Sequence, residues 1–144
     1  MIFSSKTWTA VQELILSSRS YTFKCHREEV LPRKRTDNVT NVWSVNDVSV
    51  HPIHGTFSTC GSDGSYQFWD KERKNRLYYY PNVGGSISAT AFNKDGSIFA
   101  YAVSYDWSKG YAHNTPNHPN KIMLHPVLDM DCKPKQQSGS SGLR

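Results

Sequence analysis

Hydrophobic positions recur along this chain in short runs divided by glycine, proline, asparagine and aspartate, a spacing of strands and turns rather than of helices. Residues 45 to 70 read VNDVSVHPIHGTFSTCGSDGSYQFWD and predict an antiparallel meander of three strands. In the first, Val45 to Val50, the alternation is imperfect: Val45 falls on one face, Val48 and Val50 mainly on the other. His51-Pro52-Ile53-His54-Gly55 closes a turn, and Thr56 to Cys60 supplies the second strand. Gly61-Ser62-Asp63-Gly64 turns the chain again into a third strand, Ser65 to Trp69, which ends in Trp-Asp.

The same order then returns. Ile87, 42 positions after Val45, opens a strand to Phe92, followed by the turn Asn93-Lys94-Asp95-Gly96 and a strand from Ile98 to Val103. Arg76 to Tyr80 reads as the outer fourth strand of the first copy. Lys121 to His125 is the third strand of the second, delayed by an insertion from Tyr105 to Asn120. A period of about 40 to 45 residues with four strands per unit is the blade pattern of a propeller. The expected fold is all-β, a partial WD-repeat β-propeller of about two blades, with Tyr21 to His26 as an extra outer strand of a preceding blade. A ring of four blades would need roughly 160 residues, more than this chain has, so a fragment with open strand edges is expected. Blade sequence is expected over 21 to 135. Residues 1 to 20 form a segment of different character, in which Trp8 to Leu16 reads as a short helix. The Gln/Ser/Gly-rich stretch 136 to 144 reads as a disordered tail.

Composition narrows the class. At 37% hydrophobic and 20% charged the chain is too apolar to be wholly disordered, yet no run of about 18 apolar residues offers a membrane helix, so membrane insertion is not expected. Cys25, Cys60 and Cys132 are odd in number and contain no CxxC pair, which predicts free thiols in a reducing compartment, cytosol or nucleus. Residues 1 to 20 carry only fragments of a secretory signal. The formal charge of +5 is concentrated at Lys24 to Arg27, Arg33 to Arg35 and Lys71 to Arg76, which suits an acidic peptide or nucleic-acid phosphates.

Three strings carry a resemblance: Tyr21-Thr22-Phe23-Lys24-Cys25-His26-Arg27, the run from Val45 to Lys71, and AFNKDGSIFAYAVSYDWSKG at 91 to 110. They resemble the C-terminal blades of a WD-repeat family, the nuclear-pore-associated mRNA export factors of the Rae/Gle type. The related mitotic-checkpoint propeller of the Bub family shares the FKCHR-like strand, but Asp106-Trp107-Ser108-Lys109-Gly110 is closer to the export factors. The resemblance implies a ring of about seven blades that grips a nucleoporin peptide, with RNA or messenger ribonucleoprotein and spindle or checkpoint proteins as further partners. It implies residence in the nucleus, at the nuclear envelope and pore, and in the cytoplasm. It also places a peptide- or nucleic-acid-binding surface at Phe23, Lys24, Arg27, Trp69, Asp70, Lys71, Lys74 and Arg76. An aromatic plane beside cations holds an apolar anchor with neighbouring carboxylates, or stacks a base beside its phosphate.

Each of these residues also has a structural reading. Trp69 precedes Asp at the end of a third strand, where propellers use the indole in a hydrogen-bonded strut, but no Gly-His pair precedes the first strand to supply the histidine of that strut. Asp63 reads as a turn residue bonding its own backbone rather than as an acid catalyst. His51-x-x-His54 and His113-x4-His118 approach metal-ligand spacing, but neither pair has a cysteine companion in the sequence, and no metal or other cofactor is expected. A catalytic Cys25-His26 pair is disfavoured because adjacent strand residues point to opposite faces. No triad, P-loop or dinucleotide fingerprint is present, so a non-enzyme is expected.

Overall fold

A computed structural model describes residues 22–30 and 39–134. The helix expected at Trp8 to Leu16, the cations Arg33 to Arg35 and the tail 136 to 144 lie outside the described residues. The described elements are β1 (Arg27–Val30), β2 (Val39–Val42), β3 (Val45–Val50), β4 (Phe57–Gly61), β5 (Tyr66–Asp70), β6 (Asn75–Tyr80), β7 (Ile87–Phe92), β8 (Ile98–Val103), β9 (Lys121–Pro126) and a single helical turn, α1 (Asp129–Cys132). They form a hairpin β1-β2, a four-stranded meander β3-β4-β5-β6 and a three-stranded meander β7-β8-β9. Every pairing is antiparallel, so the all-β blade expectation holds. The two meanders also repeat each other in detail. A bulge interrupts the first pairing of each, between Val45 and Asp47 in one and between Ile87 and Ala89 in the other, which explains the imperfect alternation of Val45 to Val50.

One strand is displaced from its expected place. The outer strand expected over Tyr21 to His26 begins instead at Arg27, and residues 22 to 26 join no ladder. His26 adopts a left-handed φ of 47°, which bends the chain out of the extended conformation before β1. The insertion is where it was expected, between β8 and β9, with a 3-10 turn at Tyr111–His113.

The two large sheets pack face to face around Cys60, Tyr66, Phe68 and Leu77 from the first, and Ile87, Phe99, Tyr101 and Val103 from the second. Aromatic rings fill this seam: Phe68 meets Phe99 edge-on at 5.3 Å and Tyr66 stacks on Tyr80 at 4.5 Å. Polar groups clamp its margin. Asp47 Oδ2 accepts from the Thr90 backbone N–H at 2.7 Å, and Asp106 Oδ2 accepts from Ser86 at 2.9 Å and also from Ser62.

Every residue of β4 and β5 is buried, because each strand is covered on both faces. The second sheet covers one face; the segment 22 to 26 crosses the other, setting Phe23 on Phe57 and Trp69. Among the described residues the sheet β7-β8-β9 is covered on one face only, and β8 alternates accordingly: Phe99, Tyr101 and Val103 are buried and the residues between them are not. Its uncovered face carries the cross-strand rows Ala91, Ala100, Leu124 and Ala89, Ala102, Ile122, with Ile98 beside them. Leu124 and Ile122 are 65% and 75% exposed.

Candidate docking cleft

The strut at Trp69 is complete. Trp69 Nε1 donates to Thr59 Oγ1 at 2.9 Å, and that oxygen lies 3.1 Å from His26 Nε2. His26 Nδ1 lies 2.9 Å from Asp63 Oδ1. The partners define the tautomer: the threonine hydroxyl donates to Nε2, and Nδ1–H donates to the carboxylate. His26 is therefore the histidine that the sequence reading found missing. It arrives after a cysteine rather than a glycine, and from a segment expected to be a strand. Gly61 makes the close approach possible, since a Cβ there would stand 2.7 Å from His26 Nδ1. Asp63 also accepts from the Ser65 backbone N–H at 3.1 Å and hydroxyl at 2.7 Å, the turn role expected of it. Burial alone would push its carboxyl pKa up, but the hydrogen bonds from His26 and Ser65 outweigh this and hold it below the usual range.

The strut also removes the Cys25-His26 pair as chemistry, for a reason other than the one expected. The two residues do not share a strand; rather, both ring nitrogens of His26 face Thr59 and Asp63, and burial pushes the Cys25 thiol pKa up.

The eight residues expected to form one binding surface divide into four groups. Trp69 and Asp70 are 6% and 2% exposed and belong to the interior. Asp70 Oδ1 caps the following turn by accepting from the backbone N–H groups of Glu72 and Arg73 at 2.9 and 3.1 Å. Lys71 and Lys74 stand exposed on that turn, the tip of the β5-β6 hairpin, with Lys74 in the left-handed region at φ 56°. Phe23, 37% exposed, rests against Trp69 with ring centroids 4.7 Å apart and is the aromatic surface that Trp69 itself does not provide.

Lys24, Arg27 and Arg76 do converge. They line a cleft of about 400 Å³ beside the strut, together with Trp43, Gln67 and Tyr79. Arg76 is held in place there: Nη1 donates to Gln67 Oε1 at 3.4 Å and the guanidinium lies 5.2 Å from the centre of the Tyr79 ring. Trp43 is positioned by its backbone N–H, which donates to the His26 carbonyl at 3.1 Å. Sequence reasoning missed Trp43 and Tyr79. Tyr79 was visible only as part of an outer-strand run, and Trp43 lies between two predicted elements; the signal available was aromatic residues interleaved with cations. The cleft offers three cations and two aromatic planes against the carboxylates of Glu28 and Asp63, and Asp63 is already paired with His26. It suits an extended segment with carboxylates flanking an apolar or planar group.

Elsewhere, the expectation that His51 and His54 lack a cysteine neighbour fails in three dimensions, because α1 brings the Cys132 thiol to them. The second histidine pair contributes to the insertion instead: His118 stacks on Tyr105 at 4.7 Å.

No protein-family model matches the chain. Over 118 residues, 82% of its length, it is 63% identical to the mRNA export factor GLE2 of Chaetomium thermophilum, and it covers 32% of that protein. It is 56% identical over 119 residues to the WD40 repeat protein poxJ of Penicillium oxalicum, covering 83% of this chain and 33% of the relative. To the Poly(A)+ RNA export protein of Schizosaccharomyces pombe it is 52% identical over 123 residues, 85% of this chain and 33% of that one. The chain is thus a homologue of the WD-repeat mRNA export factors of the Rae/Gle type, and it spans about a third of the length of these relatives.

Proposed function

We propose that the chain serves mRNA export as two adjoining blades of a propeller scaffold that docks a nucleoporin peptide at the nuclear pore, binding its partner without catalysing a reaction. One observation carries the docking: Lys24, from the segment that braces the first blade, and Arg27, the first residue of β1, meet Arg76 of β6 in one cleft with Trp43 and Tyr79. An acidic peptide with an apolar anchor fits that arrangement, and Lys71 and Lys74 at the hairpin tip extend its positive field. The uncovered apolar face of β7-β8-β9 supports the ring, in which a further blade would bury it.

The test is a binding titration of the full chain with the nucleoporin segment. Reversal of charge in the cleft, by Lys24→Glu, Arg27→Glu and Arg76→Glu together, is expected to weaken binding at least about a hundredfold. Lys71→Glu with Lys74→Glu is expected to act mainly on the association rate and its salt dependence. Undiminished affinity in the cleft variant would overturn the site. If instead the cleft binds RNA in preference to the peptide, with affinity falling steeply as salt rises, the peptide reading fails.

A further inference from the structure

We propose that His51, His54 and Cys132 form a metal site for a zinc-class ion, tying the turn before β4 to the helical turn α1. Their ligand atoms lie within 4.8 Å of one another, with His51 and Cys132 buried and His54 half-buried. The residues come from distant parts of the chain: the histidines from the turn between β3 and β4, the cysteine from the turn of helix that follows β9. Asp129, at the start of α1, sets Oδ1 3.9 Å from His54 Nε2 while its Oδ2 pairs with Lys133 Nζ at 3.3 Å; it stands outside the three-donor cluster and must move to take a fourth position, which otherwise falls to water. Two imidazoles, a thiolate and a carboxylate or water make a donor set that suits Zn²⁺, with bonds of about 2.0–2.3 Å and tetrahedral angles.

The outer contacts also fit. A ligating histidine commonly donates its second ring N–H to a backbone carbonyl, and His51 Nε2 lies 3.2 Å from the Gly96 oxygen. Nδ1 is left as the ligand atom. It now accepts from the backbone N–H groups of Ile53 and His54, both at 3.2 Å, and the ion would replace these long contacts. The rings of His51 and His54 are stacked at 4.7 Å with 23° between their planes, so His54 must turn off the stack for both lone pairs to meet one ion. Its place in a turn, half-buried, gives it that freedom. The donors then close by about 1 Å to reach tetrahedral spacing. As the metal–sulfur bond forms, the Cys132 S–H bond breaks and its proton passes to solvent. The ion stabilises α1, which at a single turn is too short to hold helical form by its own hydrogen bonds.

The experiment is titration of the metal-free full chain with Co²⁺ and then Zn²⁺, which needs no partner and is independent of the docking reading. One equivalent of Co²⁺ is expected to produce a near-ultraviolet thiolate-to-cobalt absorption and visible bands of tetrahedral intensity, both abolished by one equivalent of Zn²⁺. Cys132→Ser is expected to lose the near-ultraviolet band while Cys25→Ser keeps it. His54→Ala, at a half-buried position where folding is little disturbed, is expected to weaken Zn²⁺ binding more than about tenfold. Absence of saturable binding, a band that survives Cys132→Ser, or unchanged affinity in His54→Ala would each overturn the site.

Discussion

Thr59 Oγ1 stands between two buried nitrogens, Trp69 Nε1 and His26 Nε2, and one hydroxyl satisfies both. Thr59→Val keeps the shape and leaves both nitrogens without a partner, so it is expected to cost about 2–4 kcal/mol, whereas Thr59→Ser should cost less than about half of that. Urea unfolding of the two variants measures the difference. The same strut sets a response to acid. Hydrogen bonds hold the Asp63 carboxyl below its ordinary pKa, so its contribution to stability is complete above the unfolded value near 3.9 and disappears as pH falls through the lower folded value. The denaturation midpoint is therefore expected to decline as pH drops below about 4, and Asp63→Asn to flatten that decline. Asp63 as a turn residue was legible in Gly-Ser-Asp-Gly. His26 was not, because its role depends on a left-handed bend that no local pattern announces and on a glycine 35 positions away, Gly61, that leaves room for the ring.

Among the elements, the meanders were readable because their strands alternate and their turns carry Asp-Gly and His-Pro, features local to a few residues. What was not readable is how elements cross. The segment 22 to 26 lies across β4 and β5 instead of forming the outer strand expected of it, and α1 returns from β9 to the first sheet, where the Thr56 hydroxyl donates to the Cys132 carbonyl at 2.8 Å. The insertion between β8 and β9 likewise proves to be a clamp. Its Asp106 accepts from Ser62, in the turn after β4, and Ser86 before β7; burial would push its pKa up, but these bonds and those of Ser108 hold it far below the usual range. Asp106→Ala is expected to destabilise the chain by about 1–3 kcal/mol. It should also speed amide exchange at residues 62 to 64 and 86 more than within β4 and β5, as hydrogen-exchange mass spectrometry would show. Exchange rates rising equally everywhere would mean that Asp106 is not a local clamp.

At the scale of the whole molecule the two faces of β7-β8-β9 differ in kind. One is sealed by the aromatic seam; the other is a sheet surface of alanine, isoleucine and leucine with Ile122 and Leu124 mostly exposed. A blade is readable from its own residues, whereas nothing among the described residues covers this open face, and no pattern within the blade says what does. Replacing Ile122 and Leu124 by Asp is expected to reduce self-association of the chain in sedimentation while preventing assembly with further blades. The most direct measurement pairs this chain with the Chaetomium thermophilum relative lacking the 118 matching residues, and follows amide exchange in β7, β8 and β9. If the chain is an arc of a propeller, the two should form a one-to-one complex in which exchange slows at Ala89, Ala91, Ile122 and Leu124, and the Asp variant should abolish it. A chain that stays monomeric in the mixture, with those amides exchanging as they do alone, would contradict the account.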